Sequence, residues 1–216
     1  MQLVVGQSAL SGDFESYVQR LSALEVSIGP DAPKSSRLER WRQQAPAEFV
    51  FSVELSQLAL HERTPTAADV EQAIAAASIL KAQWVIVRTP PQVRPDSRVK
   101  QRLATLTQLL ASESYTVGWE PSGLWEARAA MSVASDLGIV VVNDLTREDP
   151  PTGPLLYTRL RHKSRSPGPD QLLRLIERVL PAQQCVVIVE GSGADQVQRG
   201  LHEQLQFLGD PDAASA

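Results

Sequence analysis

A chain of 216 residues with an ordinary apolar share, a formal net charge of -4 and one cysteine fits a single domain with a full core and excludes an internal disulfide. The modest acidic balance argues against a nucleic-acid or anionic-membrane surface, which usually requires a strong basic excess. The first residues, MQLVVGQSAL, carry no basic leader, and no window reaches the roughly 18 apolar residues of a membrane helix, so a soluble cytoplasmic protein without membrane contact is expected.

In chain order, eight short runs read as buried parallel strands: Gln2 to Gly6, Ala23 to Ile28, Glu48 to Leu55, Gln83 to Arg88, Thr116 to Glu120, Gly138 to Asn143, Leu155 to Leu160 and Cys185 to Glu190. Most are rich in Val, Ile, Leu or aromatics and are bounded by Pro, Gly or polar residues, as strands covered on both faces should be. Between them, 3.6-residue periodicity predicts helices over Asp13 to Ser22, Lys34 to Gln44, Thr66 to Lys81, Ser97 to Ala111, Leu124 to Leu137, Pro169 to Val179 and Ala194 to Leu208. Only the connection Leu145 to Pro154 is too short and Pro-rich for a helix. This alternation predicts an α/β fold, a (β/α)8 TIM-type barrel with an irregular sixth βα unit, with an open doubly wound sheet as the runner-up. One domain over residues 1–208 and a frayed tail over 209–216 are expected.

In such a barrel, polar residues at the carboxyl ends of the strands converge on one mouth. Here they are Glu54, Arg88, Glu120, Asn143, Asp144, Arg159 and Glu190, with Glu25 inside its strand and His61 on a loop. Crowded carboxylates raise one another's pKa, which makes Glu120 and Asp144 the candidate acid and base. The structural alternative is that Arg88 and Arg159 neutralise them in an ion-pair ring. Three histidines are too few for a His-rich metal centre, so no cofactor is expected and a carboxylate-held Mg²⁺ or Mn²⁺ ion is the only metal option. Gly191-Ser192-Gly193, between the last strand and the last helix, is a second candidate, because a helix N-terminus favours an anion. The basic run from Arg159 to Arg165 precedes it. Trp119 and Trp125 flank Glu120 and could stack on a ring, although core packing is the plainer role for every tryptophan.

Trp41, Pro46, Phe49 and Phe51 in WRQQAPAEFVFSVE carry a resemblance. The run is similar to the approach to the third strand in the YecE-like family, domain of unknown function 72. Gly6-Gln7-Ser8, Glu25, His61, Pro90-Pro91, Asp144 and Tyr157-x-Arg159-Leu160 fit the family's spacing as well. The resemblance implies a TIM-type barrel and leaves the reaction open. The chain departs from the family pattern at the rim: Ser27 stands for an asparagine, Glu54 for a lysine, Arg88 for a glutamine, Gly118-Trp119-Glu120-Pro121 for Glu-x-Arg-His, and Glu190-Gly191 for Asn-Asn. The expected function is therefore binding of a small anionic molecule, phosphorylated or carbohydrate, at a divergent mouth. The alternative is a degenerate barrel serving as an interaction or scaffold protein.

Overall fold

The computed structural model describes residues 1–55, 63–112, 114–161 and 167–209. Among these residues, eight parallel strands alternate with seven helices in the order β1 (Gln2–Gln7), α1 (Phe14–Val18), β2 (Ala23–Ile28), α2 (Ser35–Gln44), β3 (Val50–Leu55), α3 (Ala67–Leu80), β4 (Trp84–Arg88), α4 (Ser97–Leu110), β5 (Thr116–Glu120), α5 (Ala127–Leu137), β6 (Val140–Val141), β7 (Leu155–Arg161), α6 (Pro169–Val179), β8 (Gln184–Glu190) and α7 (Ala194–Gly209). The hydrogen-bonded order runs β6-β5-β4-β3-β2-β1-β8-β7, and one parallel bridge, Asn143 to Thr158, joins the two ends into a TIM-type barrel. Among the described residues, no helix is long and apolar enough to cross a membrane.

Two elements fall furthest short of their sequence patterns, β6 and α1. The sixth strand contracts to Val140–Val141 because Gly138 is spent as the left-handed cap of α5, at φ 65°. Asn143 then pairs only through the closing bridge. Next to it, Asp144 Oδ1 accepts from the Thr146 amide at 3.0 Å and the Thr146 hydroxyl at 2.6 Å, a local turn that ends the strand and starts the helix-free sixth connection. The first helix covers five residues, and the Tyr17 side chain at its end works as a strap. Its hydroxyl accepts from the Gln7 amide at 2.9 Å and donates to the Ala23 carbonyl at 2.6 Å, tying β1 to β2 where their ladder is short.

Period-two alternation sorts side chains between two apolar layers. Val4, Ala23, Val50, Trp84, Ile86, Val142, Tyr157, Val186 and Ile188 form a cluster of their own inside the barrel. The larger cluster lies between strands and helices. There Phe14, Tyr17, Trp41, Phe49 and Phe51 make a set of ring contacts with centroids 4.9 to 6.3 Å apart. The Trp41 to Phe51 signature is thus the packing of α1 and α2 against β3.

Candidate functional site

The same alternation that buries apolar side chains in the lower barrel carries charged ones to its upper end. On β3, β4, β5, β7 and β8 the inward series end in Glu54, Arg88, Glu120, the pair Arg159 and Arg161, and Glu190, while on β2 Glu25 lies one inward position below the terminal Ser27. Parallel register sets Arg88 beside Glu120 and Arg161 beside Glu190.

Three guanidiniums share four carboxylates in this layer. Arg159 lies 2.6 Å from Glu25 Oε2, 3.1 Å from Glu120 Oε2 and 3.4 Å from Glu190 Oε1. Arg88 lies 3.0 Å from Glu54, 3.0 Å from Glu120 and 3.6 Å from Glu190. Arg161 pairs with Glu120 Oε1 and, at 3.4 Å, with Glu190. Ser27 completes the shell of Glu54 at 2.7 Å. The predicted ion-pair ring is therefore present; it also includes Arg161, which the strand-end argument did not single out, and the buried Tyr157 hydroxyl is hydrogen-bonded to it at Glu25. Their positions two residues either side of Arg159 on a period-two strand were the available signal.

Glu25 sits below the rim and is 0% exposed. Its Oε2 accepts from the Tyr157 hydroxyl at 2.7 Å as well as from Arg159, and Tyr157 in turn shares a hydrogen bond of 2.8 Å with Ser52. Its Oε1 is buried without a partner. Burial pushes the Glu25 carboxyl up to about 7 against the pull of Arg159, with Glu54 adding to the rise. Burial also raises Glu120, opposed by Arg159, Arg88 and Arg161. Glu54 falls below the usual carboxylate range: its own burial would raise it, but Arg159, Ser27 and Arg88 together outweigh that. The arginine charge thus reaches the acids unequally.

A cavity of about 310 Å³ opens beside the ring, between the β5 and β6 ends. Glu120, Asn143, Asp144, Arg159, Arg161 and Trp125 are among its walls. Asn143 donates to the Asp149 carbonyl at 2.9 Å, which leaves its buried Oδ1 unpaired. Asp144 keeps Oδ2 free of the turn, 3.7 Å from Arg147. Trp125 packs edge-on against Trp119 with centroids 4.8 Å apart. Trp119 is fully buried and donates to Thr89 at 2.6 Å, and Trp41 and Trp84 are core residues too, so only Trp125 among the tryptophans faces the cavity.

The predicted residues therefore divide. Glu120, Asn143, Asp144 and Arg159 line the cavity; Glu25, Glu54, Arg88 and Glu190 belong to the ring behind it. Gly191, Ser192 and Gly193 form the turn into α7, tied to β1 by Gln7 donating to the Gly191 carbonyl at 3.1 Å. His61 lies outside the described residues, as do His162, Lys163 and Arg165 of the basic run. Among the described residues, no group of three or more His, Cys, Asp or Glu side chains is arranged to hold a metal ion, and guanidiniums stand between the mouth carboxylates. Cys185 is buried and free, and burial pushes its thiol well up, which leaves it a poor nucleophile.

A parallel eight-stranded barrel with helices outside and a polar cluster at the carboxyl ends of its strands defines a TIM-barrel protein. The chain belongs to the family described as protein of unknown function DUF72, which it matches over residues 13–205. The fold is similar to that of a DUF72 family protein from Enterococcus faecalis V583, at 13% identity and a TM-score of 0.74, covering 95% of this chain and 96% of that one. It is also similar to a xylose isomerase domain containing protein from Salmonella typhimurium LT2, at 11% identity and a TM-score of 0.65, covering 97% of each chain. D-psicose 3-epimerase from Clostridium cellulolyticum H10, crystallised with D-tagatose, shares the fold at 10% identity and a TM-score of 0.61, covering 96% of this chain and 98% of that one. No curated protein matches the sequence.

Proposed function

We propose that the mouth binds a small carbohydrate-like metabolite carrying an acidic group, in the cavity between the β5 and β6 ends. One observation carries the reading: the cavity combines fixed acceptors on Asn143, Asp144 and Glu120, guanidinium donors on Arg159 and Arg161, and an aromatic wall at Trp125. Its volume of about 310 Å³ is at the lower end of small-molecule sites, the size of a single sugar ring. Hydroxyl groups suit such a mixed wall, because each can donate to a carboxylate and accept from a guanidinium. The side chain of Arg161 is 42% exposed and offers its outer edge to an acidic substituent. The sugar-related names of two neighbours agree with a carbohydrate, although at 10% and 11% identity they speak for the fold alone.

Glu120 and Asp144 are the groups through which chemistry on such a ligand would run. Burial raises Glu120 against the pull of its three arginines, which makes it the acid or base beside the guanidiniums, and Asp144 presents its Oδ2 on the same cavity wall. Thermal shift and saturation-transfer NMR across neutral sugars, sugar acids and sugar phosphates provide the test. Asp144→Ala and Arg161→Ala should each weaken acid binding by at least about tenfold, the loss of one charge-assisted contact. A panel with no binder, or variants that bind as the wild type does, would sink the reading.

A second reading, a non-catalytic interaction barrel, is favoured by one fact: both oxygens of Glu120 are already in ion pairs. It expects no small-molecule binder and recovery of a specific protein partner that the Arg161→Ala variant no longer retains.

A further inference from the structure

The ring has an unbalanced charge. Ionised, Glu25, Glu54, Glu120 and Glu190 carry four negative charges against the three positive charges of Arg88, Arg159 and Arg161. An acidic group entering the cavity adds another negative charge beside Arg159 and Arg161, in surroundings where unpaired charge is costly. The carboxylates differ in how they can respond. Glu190 has a side chain 31% exposed and touches its arginines only at 3.4 to 3.6 Å. Glu54 is held by Ser27 and Arg88, and Glu120 by ion pairs with three arginines, two of which approach its Oε2 without a hydrogen bond to it. Glu25 is enclosed, and its two oxygens are used unequally: Tyr157 and Arg159 both donate to Oε2, and Oε1 accepts no hydrogen bond from the protein.

We propose that Glu25 is the proton acceptor of this mouth: an anionic occupant enters together with a proton, which is received on Glu25 Oε1. The proposal rests on the cavity being an anion-accepting site. Arg159 provides the coupling, since it lines the cavity and lies 2.6 Å from Glu25. When an anion draws on that guanidinium, the counter-charge that keeps Glu25 ionised is shared, and its proton affinity rises. Protonation on Oε1 leaves the contacts of Tyr157 and Arg159 with Oε2 in place. The charged and titratable groups around Glu25 are Glu54 from β3, Arg88 from β4, Glu120 from β5, Tyr157, Arg159 and Arg161 from β7, and Glu190 from β8. Without an occupant Glu25 titrates at about 7, so coupling is visible from neutrality upward.

D-glucuronate is a suitable probe, because its own carboxylate is ionised throughout this range and any proton taken up belongs to the protein. Calorimetric titrations are run from pH 7 to pH 9 in buffers of different ionisation heat. The wild type should take up a fraction of a proton that grows above pH 7, and its affinity should fall by about tenfold or more across the range. Glu25→Gln should bind with no proton uptake and no such decline. Tyr157→Phe keeps the carboxyl but removes a hydrogen bond to its ionised form, so its pH window should move upward; it also covers a Glu25→Gln chain that fails to fold. Binding without proton uptake, as when Glu190 swings out instead, or uptake that persists in Glu25→Gln, overturns the proposal and leaves the cavity reading intact. Failure of D-glucuronate and the rest of the sugar-acid panel to bind overturns both.

Discussion

Glu25 is the residue whose setting departs furthest from its type. Its carboxyl is raised from an ordinary 4.5 to about 7, chiefly by burial, so between those values the folded chain holds a proton that the unfolded chain has released. The associated stability is fully present below about pH 4.5 and is lost as pH rises through 7. Between pH 5 and pH 8 the wild type should therefore lose on the order of 3 kcal/mol relative to Glu25→Gln, measured by denaturant unfolding of both chains at each pH. Removing Arg159 is a harsher change: Arg159→Ala leaves Glu25 and Glu120 in buried positions without their shared cation and should cost about 3–5 kcal/mol in the same assay. The strand-end residues of the mouth were legible in the sequence, because polar side chains closing apolar runs stand out. Which of them would face the cavity and which would be locked behind it was not, since that depends on cross-barrel partners such as Tyr157, which lies 132 positions from Glu25.

Elements were legible where local chemistry and tertiary packing agree. Helix α4 begins where Asp96 Oδ1 accepts from the Val99 amide at 2.8 Å and buries Val99, Leu103, Leu106 and Leu110 on one face. Asp96→Ala should cost about 1 kcal/mol of unfolding free energy while far-ultraviolet circular dichroism stays the same. Periodicity predicted this helix, because its pattern repeats within a few residues. It overestimated β6, whose apolar run has strand composition but finds little ladder: Gly138 is used by the preceding helix cap, and Asp144 folds back on Thr146. A run of valines states that a segment will be buried, not how many of its amides will be paired.

At the scale of the whole barrel, closure depends on a narrow seam. Thr158 Oγ1 donates to the Asn143 carbonyl at 2.8 Å and accepts from the Leu145 amide at 3.0 Å, while the Arg159 amide donates to the same Asn143 carbonyl at 3.1 Å. Thr158→Val keeps the shape but strands a buried amide, with an expected cost of about 1–3 kcal/mol. Hydrogen exchange should locate the effect, with Leu145 and Arg159 losing protection before the amides of β1 and β8. Strand–helix alternation made the barrel readable, whereas the seam was hidden because it joins the strands flanking the one connection that has no helix.

Below the charged layer, Trp84, Ile86, Tyr157, Val186 and Ile188 fill the barrel bore. A proton that reaches Glu25 from the mouth side passes the arginine ring, which makes speed as well as equilibrium a property of the mouth. After a rapid pH jump across neutrality, Glu25 should relax at the rate at which the ring opens rather than at the rate of proton diffusion.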